Sequence, residues 1–184
     1  FHVLLVNHLY KYIILMKIKD KFLDKLTFHR IKTVIFNQIE TPWMCIKDIS
    51  GEGKEKDCYF THTLFETHMN EDKELYYNGI PCSPHHWIAD ILKEAIGAET
   101  LIRVKANLYP RTDILHSHRP HKDYKFDHKA ALLSLNTCDG HTNVDGTKVA
   151  SVKNRMLFFN PQITHNSTNC TDEQFRCNIN INYM

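Results

Sequence analysis

Glycine and proline are scarce in this chain, six of each among 184 residues, which excludes collagen-like repeats and Pro/Gly-rich low-complexity sequence. None of the six cysteines forms a CxxC pair and no cleavable secretory signal precedes them. They therefore read as reduced thiols of a cytoplasmic protein rather than a disulfide framework or a zinc knuckle. Neither sign of charge is in excess: 23 Lys and Arg stand against 21 Asp and Glu, a net charge of +2, so the chain carries no strong nucleic-acid signal. Long hydrophobic runs are missing too. In FHVLLVNHLYKYIILM the residues Asn7, His8, Lys11 and Tyr12 interrupt the apolar stretch well short of the roughly 20 residues that span a bilayer, which argues against a membrane partner. Internal repeats are absent as well.

What is present fits one domain with a core of its own: 42% hydrophobic and 24% charged residues in 21.7 kDa. Residues 1 to 15 read as a candidate upstream extension, because Met16 opens MKIKDKFLDK, and residues 16 to 184 as a single domain. Within it, residues 16 to 100 form a helical and strand buttress. Thr27 is the expected cap of a helix through FHRIKTVIFN. Ser83-Pro84 signals the start of a second helix, whose Ile88, Ile91, Leu92, Ala95 and Ile96 recur at helical spacing before Gly97, the expected left-handed cap. WMCIKDIS and CYFTHTLFETH read as strands or edge segments.

From residue 101 the texture changes to short apolar runs bounded by turn residues: LIRVKANLY, AALLSLNT, TKVASV, RMLFFN and FRCNININY. Five strands after a helical cap predict a mainly β chain with N-terminal helices (α+β), its core a sandwich or barrel such as a jelly roll. In the last run Cys177, Ile179, Ile181 and Tyr183 alternate with Arg176, Asn178, Asn180 and Asn182, so a row of polar side chains must face solvent or a polar cavity.

Thirteen histidines are the unusual feature, since imidazole is the commonest metal ligand. In HSHRPHKDYKF, His121 and Asp123 stand two apart, which in extended backbone places both on one face. Thirteen histidines and twelve aspartates placed at random would produce about one such pair, so the motif needs partners. His165, in FFNPQITHNS after an apolar strand, supplies the second imidazole. Two imidazoles and one carboxylate leave three positions of an ion open, the arrangement of non-haem Fe(II) oxygenases. Arg176 follows 11 residues later on the polar face of the final strand, where its guanidinium fork suits a carboxylate.

With these residues in order, residues 101 to 184 resemble the 2-oxoglutarate/Fe(II)-dependent dioxygenases, and NRMLFFNPQITHNS with RCNININY is similar to the closing strands of prolyl-hydroxylase-like members. Asn107 and Tyr109 in ANLYP, and Arg176 with Asn178, match the Asn-x-Tyr and Arg-x-Asn with which AlkB-type members contact 2-oxoglutarate. The AlkB type carries a further Arg where this chain has Asn182, a departure that weakens a nucleobase-directed reading. More generally, the part from residue 27 to 100 is similar in texture to small viral and bacterial oxygenases. The resemblance implies a double-stranded β-helix core, Fe(II) held by His121, Asp123 and His165, 2-oxoglutarate as co-substrate held by Asn107, Tyr109, Arg176 and Asn178, and O₂ as oxidant. It also implies hydroxylation of a peptidyl side chain or small metabolite, with release of succinate and CO₂. The competing reading is a non-catalytic metal-binding β-barrel that uses the same triad.

Other candidates have plainer expected roles. His116 and His118 are expected to be structural, Asp127 and His128 to lie in a solvated turn, and Arg155 to pair at the surface. Trp43, Phe60, Trp87 and Cys177 are expected in the core.

Overall fold

The computed structural model describes residues 16–37, 41–47, 58–67 and 80–184. The proposed extension, residues 1 to 15, lies outside them, as does the end of the WMCIKDIS segment. In chain order the elements are β1 (Met16–Lys19), α1 (Lys25–Phe36), β2 (Met44–Ile46), β3 (Tyr59–Glu66), β4 (Ile80–Pro81), α2 (Trp87–Ile96), β5 (Leu101–Pro110) and β6 (Lys129–Ser134). They continue with β7 (His141–Val144), β8 (Thr147–Ala150), β9 (Arg155–Phe159), β10 (His165–Ser167) and β11 (Phe175–Tyr183).

The chain is mostly β, and all of the strand pairings are antiparallel. One sheet runs β1-β9-β6-β11-β5-β3-β2, with β4 on β3; a second runs β10-β7-β8. The long strands β5 and β11 lie side by side at the centre of the large sheet, so their alternation decides both of its faces. Leu101, Val104 and Ala106 of β5 and Cys177, Ile179, Ile181 and Tyr183 of β11 join one apolar core with Ile31 and Ile35 of α1 and Ile88, Ala89 and Leu92 of α2. The other face carries Arg103, Lys105, Asn107 and Tyr109 opposite Asn182, Asn180, Asn178 and Arg176. A smaller cluster, with Ala130 and Leu157 of the large sheet and Val144 and Val149 of the small one, packs the two sheets together.

Several elements differ from expectation for identifiable reasons. α1 starts three residues before the expected phenylalanine: its cap is Asp24, whose carboxylate accepts from the Leu26 and Thr27 amides at 2.9 and 3.0 Å, a cap worth about 1 kcal/mol. Ser83 instead accepts from the His85 amide in the turn before α2, which has no side-chain cap. Gly97 does take the left-handed cap, at φ 67°. In α2 the buried set is Ile88, Ala89 and Leu92, and Ala95 faces outward. The β7–β8 hairpin turns on Asp145 and Gly146, both at positive φ, the conformation that favours an Asp-Gly pair.

Candidate functional site

Two chain segments that carry no long strand are brought together by one β-bridge. His121 and His165 exchange both backbone hydrogen bonds at 2.9 Å, which places Asp123 over the second histidine. Asp123 Oδ1 lies 3.6 Å from His165 Nε2 and 3.9 Å from His121 Nε2. The three potential ligand atoms all fall within 4.8 Å of one another. Each imidazole directs its Nδ1 to a carbonyl two residues back, Arg119 at 3.3 Å and Ile163 at 2.9 Å, which leaves Nε2 of both rings for the shared centre.

Asp123 is itself oriented. Its Oδ2 accepts from Asn182 Nδ2 at 2.8 Å, and Asn182 Oδ1 accepts from Arg103 at 3.3 Å. Burial alone would raise the Asp123 carboxyl, but His165, Asn182 and Arg103 hold it well below the usual carboxylate range. Burial also lowers the His121 imidazole, as does the neighbouring His165. Both groups are thus biased toward the protonation state in which a cation is bound. Asn182, which stands where the AlkB type carries an arginine, has a contact of its own on the cluster's carboxylate.

Arg176 is fully buried. Its two terminal nitrogens donate to the Thr168 carbonyl at 3.0 Å and Thr142 Oγ1 at 2.7 Å, crossing from the large sheet to the small one, and its guanidinium lies 5.6 Å from the Tyr109 ring centroid. Tyr109 is stacked between Tyr59 and His118, with ring centroids at 5.5 and 5.1 Å. Burial raises its phenol, against the opposing influence of Arg176 and Ser167. Asn107 donates to Asn178 at 3.1 Å, yet Asn107 Oδ1 and Asn178 Nδ2 have no partner. Seven buried side-chain polar atoms lack partners among the described residues, and five of them sit on this face, from Arg103, Asn107, Arg176, Asn178 and Asn180. Native interiors rarely leave such atoms unused, so their concentration makes this face a candidate surface for a polar ligand. A cavity of about 350 Å³ runs along it, reaching Tyr109 and Ser167 as well as His121 and Asp123.

The alternation that predicted the β11 polar row is therefore correct: the row lies on the sheet face that carries this cavity, and Asn180 lines it. Gly140 supports it from behind. A methyl group there would collide with the Asn169 carbonyl and lie 2.7 Å from Arg176 Cδ. Gly140→Ala is expected to destabilise by about 1–3 kcal/mol, a melting-temperature loss of several degrees read by thermal denaturation; an unchanged transition would show that this wall is pliant.

The remaining candidates fall as follows. His116 is exposed, and His118 is buried with Ser167 as a hydrogen-bond partner at 3.0 Å, a structural role. Asp127 is exposed, but His128 is buried, not solvated: it packs against Tyr124 and Phe126 and bonds the Phe126 carbonyl at 2.8 Å. Arg155 pairs with Asp20 through Nε at 2.6 Å. Trp43 and Trp87 are partly buried against the main core, Phe60 is half-buried, and Cys177 is fully buried. Among the described residues no cysteine is in a disulfide. Cys138 and Cys170 meet beside Asp172, where burial pushes the Cys170 thiol up to about 12, away from the thiolate that binds metals.

No protein-family model matches the chain, and no curated protein matches it. Solved structures do. An oxidoreductase of the 2OG-Fe(II) oxygenase family from Burkholderia pseudomallei is similar with a TM-score of 0.64 at 11% identity, over 91% of this chain and 84% of that one. A prolyl hydroxylase from Trichoplax adhaerens, in complex with a hypoxia inducible factor peptide fragment, gives 0.55 at 13% identity, over 93% and 84%. HygX from Streptomyces hygroscopicus, with nickel, 2-oxoglutarate and hygromycin B bound, gives 0.59 at 10% identity, over 95% and 85%.

Proposed function

From a fold shared with the 2-oxoglutarate/Fe(II) oxygenases, we propose that the chain is an oxygenase of that kind, hydroxylating a peptidyl side chain or a small metabolite on a jelly-roll core. The observation that carries the reading is the pairing of two features beside one cavity: a His-Asp-His cluster whose His121 and Asp123 line it, and a fully buried arginine packed against Tyr109, which lines it as well.

The donor set fits the metal. Two imidazole nitrogens and one carboxylate suit Fe(II) and leave open positions for a chelating keto acid and O₂, whereas a structural zinc site would close its shell with a fourth protein ligand. His121, Asp123 and His165 would hold the iron, with Asn182 fixing the carboxylate that offsets its charge. The residues also fit the co-substrate. Arg176 offers a buried cation for a terminal carboxylate, Tyr109 stacks against it, and Asn107 and Asn178 retain an acceptor and a donor for the keto acid between. With both bound, the iron and keto acid supply the oxidising chemistry that consumes O₂ and yields succinate, CO₂ and hydroxylated product. The chain's own contribution is to bind, to orient, and to keep water out of a cavity whose floor is sheet and whose walls are Tyr59 and Tyr124.

The test is direct. Purified protein with Fe(II), ascorbate and 2-oxoglutarate should form succinate slowly even without substrate. Metal binding without any 2-oxoglutarate binding or succinate would favour the non-catalytic metal-binding barrel instead. Asn182→Ala removes the hydrogen bond to Asp123 Oδ2 and should weaken metal binding about 10- to 100-fold in a chelator-competition titration, while the fold is retained. The nucleobase-directed alternative has no support from the contact at Asn182, which is occupied with Asp123 and Arg103.

A further inference from the structure

Arg103 and Lys105 bring two cationic side chains to the cavity wall. They lie two apart on β5, on the same face as Asn107 and Tyr109, and both line the cavity that holds His121 and Asp123. Tyr109 and Asn107 stand opposite Arg176 and Asn178, the co-substrate end; Lys105 and Arg103 stand opposite Asn180 and Asn182, the end where Asn182 meets Asp123.

We propose that Arg103 and Lys105 form an oxyanion-binding subsite beside the metal cluster, and that the substrate carries a carboxylate or phosphate group which this pair holds. The inference rests on the oxygenase reading above. Three observations carry it. Lys105 is partly buried and, among the described residues, has no carboxylate within ion-pair distance; its ammonium lies 5.6 Å from the Tyr59 ring centroid. Arg103 is held over Tyr124 at 5.2 Å with one bond to Asn182, and its Nε has no partner. Two cations side by side on a partly buried cavity wall repel each other and lose hydration, so their pairing needs a reason.

Charge balance gives the third. Fe(II), the Asp123 carboxylate, doubly charged 2-oxoglutarate and the Arg176 guanidinium together are neutral. Arg103 and Lys105 then add two positive charges, against which Glu66 stands across the sheet from Arg103. The assembled site is left with a net positive charge, facing inward between two tyrosine walls, and an anionic substrate neutralises it. Burial, with Arg103 beside it, already lowers Lys105 to about 8, which an incoming anion would reverse.

The experiment uses anaerobic protein loaded with Fe(II) and saturating 2-oxoglutarate, whose own binding is measured first. Two matched pairs are titrated by calorimetry: N-acetyl-glutamate methylamide against its glutamine twin, and N-acetyl-phosphoserine methylamide against its serine twin. At least one anion should bind tenfold or more tightly than its neutral twin, and which pair discriminates identifies carboxylate or phosphate. Lys105→Met and Arg103→Met should each cut that ratio at least threefold, with Lys105→Gln as a second variant should the first fail to fold. Neutral twins binding as well as anions in the wild type, or a ratio that persists in the Lys105 variants, overturns the proposal. So does a tenfold loss of 2-oxoglutarate affinity in Lys105→Met with the ratio unchanged, because Lys105 would then serve the co-substrate. If 2-oxoglutarate fails to bind wild-type protein, the oxygenase reading falls. The same titrations on protein carrying Fe(II) alone then decide the subsite separately.

Discussion

Replacing His165 with alanine is expected to reduce succinate formation to background and to remove high-affinity metal binding, with the protein still folded. The expectation follows from geometry. His165 Nε2 lies 3.6 Å from Asp123 Oδ1, the tightest contact of the cluster, and its Nδ1 is already committed to the Ile163 carbonyl, so no neighbouring ring can substitute for it. Two ligands remaining on an ion that wants several protein contacts leave it held by water. The fold should survive because the backbone of His165 is what pairs with His121 and with Val144 of β7, and alanine keeps both pairings. Circular dichroism would check folding, and equilibrium dialysis with Fe(II) or a spectroscopic surrogate would check the metal. Undiminished turnover in a folded variant would remove His165 from the metal site and with it the oxygenase reading.

The same cluster makes a prediction in pH. Asp123 has a folded value below its unfolded one, so its contribution to stability is fully present above the ordinary carboxylate value of about 3.9 and is lost as pH falls from there toward the folded value. His121 is also lowered, so the unfolded chain takes up its proton first, and metal-free protein loses stability as pH falls below about 6.5. In the His165→Ala variant the acid-side loss attributable to Asp123 should shrink, since one of the groups that depress its carboxyl is gone. Urea melts at several pH values on both proteins would show the difference.

Much of this site was legible in the sequence, and the reasons are local. A period-2 pattern survives translation into structure, so the Arg176, Asn178, Asn180 and Asn182 row was assigned to one face of β11 before its surroundings were known. The clustering of His121, Asp123 and His165 was legible because order along the chain was enough to suggest it. What was not legible depends on contacts between distant segments. Nothing in the sequence near Asn182 says that Asp123, 59 residues away, accepts its hydrogen bond. β7, HTNV, was missed because its side chains are mostly polar, although Asp145-Gly146 was an available hairpin signal and Thr142 on that strand anchors Arg176. His128 looked solvated because its burial comes from Tyr124 and Phe126, whose positions the loop sets. Thr27 was chosen as a cap over Asp24 because both residue types cap helices, and pattern alone does not rank two candidates three residues apart.

Arg176→Met is expected to cost 2-oxoglutarate binding about 2–5 kcal/mol, a factor of roughly 30 to several thousand in dissociation constant, while leaving metal binding close to wild type. The methionine side chain keeps most of the volume that packs against Tyr109 and Gly140 but removes the fully buried guanidinium behind Tyr109. Removing a cation from a fully buried position also removes its desolvation cost, which offsets the hydrogen bonds lost to Thr168 and Thr142. The melting temperature without co-substrate should therefore move little. With metal present, 2-oxoglutarate at about a hundred times its dissociation constant should stabilise the wild type by about 2.7 kcal/mol, several degrees for a chain of this size. The variant should keep about a third of that shift or less at the same concentration. Arg176→Lys keeps the charge without the fork, and should fall between the two. A variant that binds 2-oxoglutarate as tightly as the wild type would move the co-substrate's carboxylate away from β11, and the unused polar atoms of Asn107 and Asn178 would then need a different ligand.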